Sequence, residues 1–304
     1  MGCLRVALFT DEIGWHTRQL QAALRARGAQ GRCVDLEHCA IDTTRAAGLR
    51  IPGFAGLPDA ALVRGIAGGT FEQVTKRLGV LHALRALGVP VYNEARAIER
   101  AVDKSATSLL LHAAGLPTPP TWATESAAEA ERLVARASAA GEALVVKPLF
   151  GSQGKGLLRV GWVNGAHQPL PPQVFGSRRF GHGKMAYLQR YVPPPATPGH
   201  DWRVLVIGGR ARAAMRRISD GWVHNVAQGA RCEAAALTPE LAHLAEAASA
   251  ALELDYAGVD LIPGAGGAQV LEVNGVAAWQ GLQRVTPFSI AQALVDDLLD
   301  RRRP

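Results

Sequence analysis

The sequence predicts an α/β protein, with an open α/β domain over residues 1–95 followed by two sheet-containing segments, 96–188 and 189–304. Three observations carry this prediction. Strand-period and helix-period stretches alternate through the first 95 residues, with Gly and Pro at the joints. The apolar stretch Ala143-Leu144-Val145-Val146-Lys147 runs into Phe150-Gly151-Ser152-Gln153-Gly154-Lys155-Gly156 and out again through 157–160. Two apolar stretches near the end, 258–262 and 269–273, flank a Gly-rich turn.

In chain order, Val6-Ala7-Leu8-Phe9 reads as a strand and 17–27 as a helix closed by Gly28. A second helix over 71–87 ends at Gly88 and Pro90, before the strand Val91-Tyr92-Asn93. Asp11-Glu12-Ile13-Gly14 follows the first strand where a dinucleotide site would carry GxGxxG, which argues against that ligand. Residues 102–114 read as a helix stopped by Gly115 and Pro117, and Thr124 as the cap of a long Ala- and Glu-rich helix ending at Gly141. Residues 164–184, rich in Pro, Gly and Arg, read as a long irregular loop of the kind that forms lids. From Tyr187 a strand leads to Pro193-Pro194-Pro195, and the strand 203–207 is turned back by Gly208-Gly209. Thr238-Pro239 opens a helix with Leu241, Leu244, Ala245, Ala248 and Leu252 on its apolar face, and Thr286-Pro287 is expected to open the last helix in the same way.

Composition narrows the function classes. With 48% apolar and 19% charged residues the chain is globular. No apolar run approaches the roughly 20 residues that span a bilayer, and the start does not resemble a signal peptide, so a cytoplasmic protein without membrane contact is expected. Cys3, Cys33, Cys39 and Cys232 lack CxxC spacing, and the nine histidines form no HExxH pair, so neither a zinc box nor a disulfide framework is indicated. A net charge of +7 calls for an anionic partner. The basic residues form no tract with interleaved aromatics, so a polyphosphate or polycarboxylate suits the charge better than nucleic acid.

The chemistry concentrates in two places. Asp260 and Glu272 lie equally far from Gly266, so a hairpin centred there would set the two carboxylates face to face. Such a pair repels unless something neutralises it. Glu272 and Asn274 share a sheet face, because side chains alternate with period two. Three hard oxygen ligands on one face suit Mg²⁺, which completes its shell with water and phosphate oxygens. At the other place Lys147 ends a strand, and glycines follow that let backbone N–H groups approach phosphate. A plain hairpin remains the competing reading of that loop.

Taken together, these segments resemble the ATP-grasp superfamily, and within it the RimK-like α-L-glutamate ligases. The resemblance rests on Ala101-Val102-Asp103-Lys104, Val145-Val146-Lys147 with the glycine loop, Leu188-Gln189-Arg190-Tyr191-Val192, Asp201-Trp202-Arg203 and Ala213-Ala214-Met215-Arg216-Arg217. Ala257-Gly258-Val259-Asp260 and Leu271-Glu272-Val273-Asn274 complete it. It implies a pre-ATP-grasp domain followed by two subdomains that clamp ATP. Lys104 and Lys147 match the nucleotide-binding lysines, with Gly151, Ser152, Gln153, Gly154 and Gly156 in the cover loop. Gln189, Arg190, Tyr191 and Val192 match the adenine linker, Asp201 an acid near the ribose, and Asn225 completes the nucleotide set. Asp260, Glu272 and Asn274 match ligands for Mg²⁺, expected as two ions with Mn²⁺ as a substitute, and Arg203 and Arg217 the catalytic arginines.

The implied activity is ATP-dependent joining of a carboxylate to an amine through an acyl phosphate, with L-glutamate as the amino acid. Two departures stand out. Arg190 replaces a glutamate usual in the linker, and Gly275-Val276-Ala277-Ala278-Trp279 replaces the turn that usually follows Asn274. The second change is read as an apolar acceptor site in which Trp279 stacks on a flat ring, such as a pterin-type coenzyme precursor bearing a carboxylate. The alternatives are a ligase acting on a protein C-terminus, a small-molecule kinase and a nucleotide-dependent binding module, and a homo-oligomer is allowed for.

Overall fold

The computed structural model describes residues 3–151, 153–176 and 185–301. A parallel sheet in the order Ala29–Val34, Leu4–Phe9, Ala60–Val63, Val91–Tyr92 forms the first layer system. Alternation divides its side chains. Val6, Leu8, Ala60 and Leu62 pack with helix Trp15–Ala26, whereas Ala7, Phe9, Ala61 and Val63 pack with helix Phe71–Ala86 on the other face. The chain therefore turns in opposite directions after Leu4–Phe9 and Ala60–Val63, leaving a crevice at their carboxyl ends, where ligands of open α/β sheets bind.

Two antiparallel five-stranded sheets follow. The second runs Ala166–Gln168, Leu158–Val163, Ala143–Lys147, Ala186–Arg190, Thr121–Thr124, with helix Ala127–Ala139 against one face. The third runs Arg231–Ala235, Arg210–Ser219, Gly199–Ile207, Tyr256–Gly264, Gly267–Asn274, with helix Pro239–Ala251 behind it. The last helix, Ile290–Asp300, enters the same core as Trp15–Ala26 and strands of the third sheet. The first and third sheets are thus welded by shared apolar burial.

Asn93 strengthens that weld. It is fully buried, donates through Nδ2 to the carbonyls of Tyr256 (2.7 Å) and Gly275 (2.6 Å), and accepts at Oδ1 from the N–H groups of Asp255 (2.6 Å) and Tyr256 (3.0 Å). Four backbone groups on either side of the Asp260 hairpin are satisfied by one side chain from the first sheet.

Several local expectations are corrected by capping chemistry. The helix expected over 102–114 is present as Lys104–Ala113, capped by Asp103, whose carboxylate accepts from the N–H groups of Ser105 and Ala106; a further helix, Ala95–Val102, precedes it. Both pack with the third sheet. Ser126, not Thr124, caps Ala127–Ala139. The last helix is capped by Ser289, while Thr286 instead donates its hydroxyl to Leu282 O and closes the short helix Gln280–Gln283. Part of the expected loop over 164–184 is ordered as strand Ala166–Gln168 and helical turn Gln173–Gly176, and its residues 177–184 lie outside the described ones. The Thr238 cap is as expected, its hydroxyl accepting from Leu241 N. Among the described residues no helix is long and apolar enough to cross a membrane.

Candidate active site

A cleft opens between the second and third sheets. Lys147, Gln189, Tyr191 and Val192 line it from one sheet, and Asp201, Arg217, Asp260 and Glu272 from the other. Its charged floor is built by cross-strand pairing. Asp201 lies opposite Arg217, Arg203 opposite Asp260, and Asp260 opposite Glu272. Four adjacent strands therefore bring five charged residues into one row.

The expected opposition of Asp260 and Glu272 is present, for a reason the symmetric hairpin did not contain. Gly264 pairs with Gly267 across a tight turn, which by itself would set Asp260 against Leu271. A bulge between Leu261 and Asp260 shifts the register by one residue and turns Glu272 onto the cleft face.

The repulsion expected between the two acids is answered by arginines. Arg203 chelates Asp260, with Nη2 to Oδ2 at 2.7 Å. Arg217 donates from Nε and Nη2 to both oxygens of Asp201 (2.7 and 2.5 Å), and its Nη2 also reaches Asp260 Oδ2 at 3.1 Å. Burial pushes the Asp260 carboxyl up, but Arg203 and Arg217 outweigh it and hold the group below the usual carboxylate range. Asp201, also buried, is pushed up to about 6 by burial against the pull of Arg217. Burial opposes the charge on Arg217, but Asp260 and Asp201 overcome it and keep the guanidinium ionised. Both oxygens of Asp201 are thus engaged by Arg217 at the base of the cleft.

The lysines approach from the opposite wall. Lys147 Nζ donates to Gln189 Oε1 at 2.6 Å, and buried Gln189 is held in turn by Thr121 Oγ1 at 3.3 Å. Burial lowers the Lys147 pKa to about 8; Lys104 lowers it further, whereas Glu272 and Asp260 oppose the fall. Lys104 Nζ lies 3.7 Å from Glu272 and donates to the carbonyls of Leu149 (3.2 Å) and Gly151 (2.8 Å), tethering the glycine loop.

That loop folds over the cleft, and Gly151, Gln153 and Gly154 line it. Gln153 O accepts from Gln228 Nε2 at 3.1 Å, and a Cβ at Gly154 would fall 2.9 Å from Val223. The close approach explains why glycine is needed at 154. Gly156 is not a cleft residue: it has φ +73° and turns the chain against Pro148. Ser152 lies outside the described residues. Opposite the loop, Asn225 lines the cleft and caps the turn Val226–Gln228, its Oδ1 accepting from Ala227 N.

Two sequence expectations change. Arg190 borders the cleft, but its guanidinium pairs with Glu142 at the surface. Trp279 is only 1% exposed, packed edge-on against Trp15 and His16, with the Arg64 guanidinium 4.7 Å from its ring centre. It offers no free face for an acceptor ring, because the last helix and Trp15–Ala26 bury it between them. The sequence reading also passed over Asn93, Trp222, His224 and Arg64. Trp222 and His224 line the cleft, and Arg159 lies about 5 Å over the rings of both Tyr191 (5.1 Å) and Trp222 (5.2 Å).

The donor set fits Mg²⁺. Asp260 and Glu272 share the cleft face, each ionised carboxylate keeps lone pairs beyond those its neighbours use, and Asn274 donates through Nδ2 to Gly258 O (3.1 Å), which leaves its oxygen as the remaining polar atom. Among the described residues no group of three or more His, Cys, Asp and Glu gathers.

Lys147 makes a prediction. A phosphate beside its Nζ raises the lysine pKa, so nucleotide binding takes up a proton wherever the free lysine is neutral. Affinity for ATP should hold below pH 8 and fall as pH rises through about 8, by up to about tenfold per unit. Calorimetry from pH 6.5 to 9.5 checks this, and Lys147→Met should bind weakly with that dependence gone.

Two antiparallel sheets facing across a cationic cleft, with opposed carboxylates on one of them, define an ATP-grasp fold. The structure of the ATP-grasp ligase PsnB complexed with a phosphomimetic variant of its minimal precursor, Mg and ADP superposes with a TM-score of 0.71, covering 98% of both chains at 22% identity. The RimK PreATP-grasp domain matches residues 4–98 and the RimK-like ATP-grasp domain residues 101–298, so the chain belongs to the RimK-like ATP-grasp family and is an ATP-dependent ligase. Among its relatives, a tetrahydromethanopterin:alpha-L-glutamate ligase of Methanococcus maripaludis is 36% identical over 79% of this chain and 78% of its own. One of the same name from Methanosarcina acetivorans is 32% identical over 90% and 91%.

Proposed function

We propose that this ligase uses Mg-ATP to activate the carboxylate of a small-molecule coenzyme precursor of the pterin type and joins it to the amino group of L-glutamate. The observation that carries the chemistry is the row Asp201–Arg217–Asp260–Arg203, with Glu272 beside it and Lys147 and Lys104 across the cleft. The choice of glutamate and of a pterin-type acceptor is supported by the names of the two methanogen relatives.

Lys147 and Lys104 hold the phosphate chain, and Lys104 exchanges its glycine-loop carbonyls for phosphate oxygens as the loop closes. When the acceptor carboxylate attacks the γ-phosphorus, the bond to the β–γ bridging oxygen breaks, ADP leaves and an acyl phosphate forms, and negative charge builds on the phosphoryl oxygens in transit. Arg203 and Arg217 face that charge already ordered by Asp260 and Asp201, so little reorganisation is needed. The amine of glutamate then attacks the acyl carbon, the carbon–nitrogen bond forms as phosphate leaves, and the amine gives up its proton. Asp260, Glu272 and Asn274 would hold Mg²⁺, as two ions or replaced by Mn²⁺, and the metal would supply charge neutralisation for the phosphate chain.

The test is phosphate release with ATP, glutamate and a pterin bearing a carboxylate. Release should need all three together with a divalent ion, and the product should gain one glutamyl mass. Turnover without an amine would indicate a kinase, and faster turnover with a peptide C-terminus would shift the acceptor to protein.

A further inference from the structure

Among the described residues Arg64 has no carboxylate partner within ion-pair distance. It follows the strand Ala60–Val63 directly, at the carboxyl-end crevice of the first sheet. Its Nη1 donates to Ala277 O (2.8 Å) and Tyr256 Oη (3.1 Å), and its plane lies over Trp279 at 4.7 Å. The hydroxyl of Tyr256 is fixed in turn by Val63 O at 3.1 Å. Three neighbours therefore hold the guanidinium in one orientation. Yet Nε makes no hydrogen bond, and among the described residues no carboxylate comes within 4.0 Å of Arg64. The side chain is only half-buried, so part of it remains open to solvent. The nearby titratable group cannot serve as partner: His16 Nε2 accepts from Trp279 N–H (3.1 Å), and burial, with Arg64 adding to it, lowers its pKa to about 4.

The distance to the chemistry is one residue. A Cβ on Gly258 would lie 2.8 Å from Ala277 Cβ and 3.1 Å from Arg203 Cδ, so Ala277 and Arg203 both flank Gly258. The carbonyl of that same alanine holds Arg64. A substrate that reacts at Arg203 would reach Arg64 with a second carboxylate by extending past Gly258 and Ala277. The lip of this crevice also exposes Ile13 (67%) and Phe71 (83%), apolar surface for the rest of a flat substrate.

We propose that Arg64 is a substrate-carboxylate anchor, held by Trp279, Ala277 and Tyr256, that selects the non-reacting carboxylate of a substrate. This rests on the ligase reading above and deepens it. It also gives Trp279 a different role from the one its sequence context suggested: the indole supports the arginine instead of the ring of a substrate.

The test compares carboxylate and amide substrates in wild type and in Arg64→Lys and Arg64→Met. Glutamate is paired with glutamine and with glutamate α-amide, and the acceptor with its own non-reacting carboxamide. Wild type should favour one carboxylate over its amide by about 10- to 100-fold in kcat/KM, as expected for a charge-assisted contact. In Arg64→Met that preference should collapse to within about threefold while KM for ATP stays unchanged, and Arg64→Lys should retain part of it. The pair that loses its discrimination identifies whether glutamate or the acceptor supplies the carboxylate. A purely structural role would lower the rate for acid and amide alike and leave their ratio intact, and that result overturns the anchor. If Arg64→Met does not fold, the ratio in Arg64→Lys decides in the same way. Wild type failing to ligate glutamate at all would instead defeat the functional reading, leaving a distinct outcome.

Discussion

Glu272→Gln should lower ligation by about 10³-fold or more in kcat, while its melting temperature stays within about 2 °C of wild type. Glu272 is the carboxylate in the row that no arginine claims. Asp260 is chelated by Arg203 and touched by Arg217, whereas Glu272 has only Lys104, at 3.7 Å. It is therefore the acid freest to bind Mg²⁺ between phosphates, and an amide keeps its shape while losing that charge. The expected stability comes from two small terms of opposite sign. Losing the partly exposed contact with Lys104 costs a few tenths to about 1 kcal/mol. Relief of repulsion with Asp260 returns a comparable amount, limited because the arginines already neutralise Asp260. Circular-dichroism melting and a phosphate-release assay on the same preparation check both halves. A variant that loses fold and activity together would make Glu272 a structural acid.

Arg217→Met should cost about 3–5 kcal/mol of stability, lowering the melting temperature by roughly 5–15 °C, and abolish turnover. Arg217 is 3% exposed and bridges two buried acids, Asp201 and Asp260. Methionine fills much of the volume but leaves Asp201 with no cation, and that carboxyl is already pushed up to about 6 by burial. Without the pull of Arg217 that carboxyl is pushed further up, so the variant should regain stability as pH falls and Asp201 becomes neutral and no longer needs a partner. Adding Asp201→Asn should recover a large part of the loss in stability without restoring activity. Arg203→Met should be milder, since Asp260 keeps Arg217. Equal losses in the two arginine variants, or no rescue by Asp201→Asn, would show that the pairs are not the source of the stability.

The charged row was largely legible in the sequence because β pairing is a local rule. Asp260, Glu272 and Asn274 lie on one hairpin, and apolar alternation fixes which face they share. Legibility failed where a single backbone event or a distant partner intervened. The bulge that turns Glu272 into the cleft has no marker in the apolar run around Leu271, and the correct pairing was reached from a turn one register off. The short helix Ala95–Val102 was not marked, because its boundary with the next helix is the single cap residue Asp103, which bonds Ser105 and Ala106. Arg190, a departure in the linker, is accounted for by Glu142, which lies 48 residues away.

By itself the sequence determined the α/β class, the order of strands and helices, the lysine-plus-glycine loop and the opposed acids, since each is written in spacing within one or two elements. Tertiary structure alone decided which charges cancel and which stay free. Asp201 is paired with Arg217, Asp260 with Arg203, and Trp279 lies under Arg64, while among the described residues no arginine pairs with Glu272 and no carboxylate with Arg64. The physical reason is that a charge or an aromatic face acts over a few ångströms of space. Which groups come that close is set by sheet packing and by the weld through Asn93, between residues as far apart in the chain as Arg64 and Trp279.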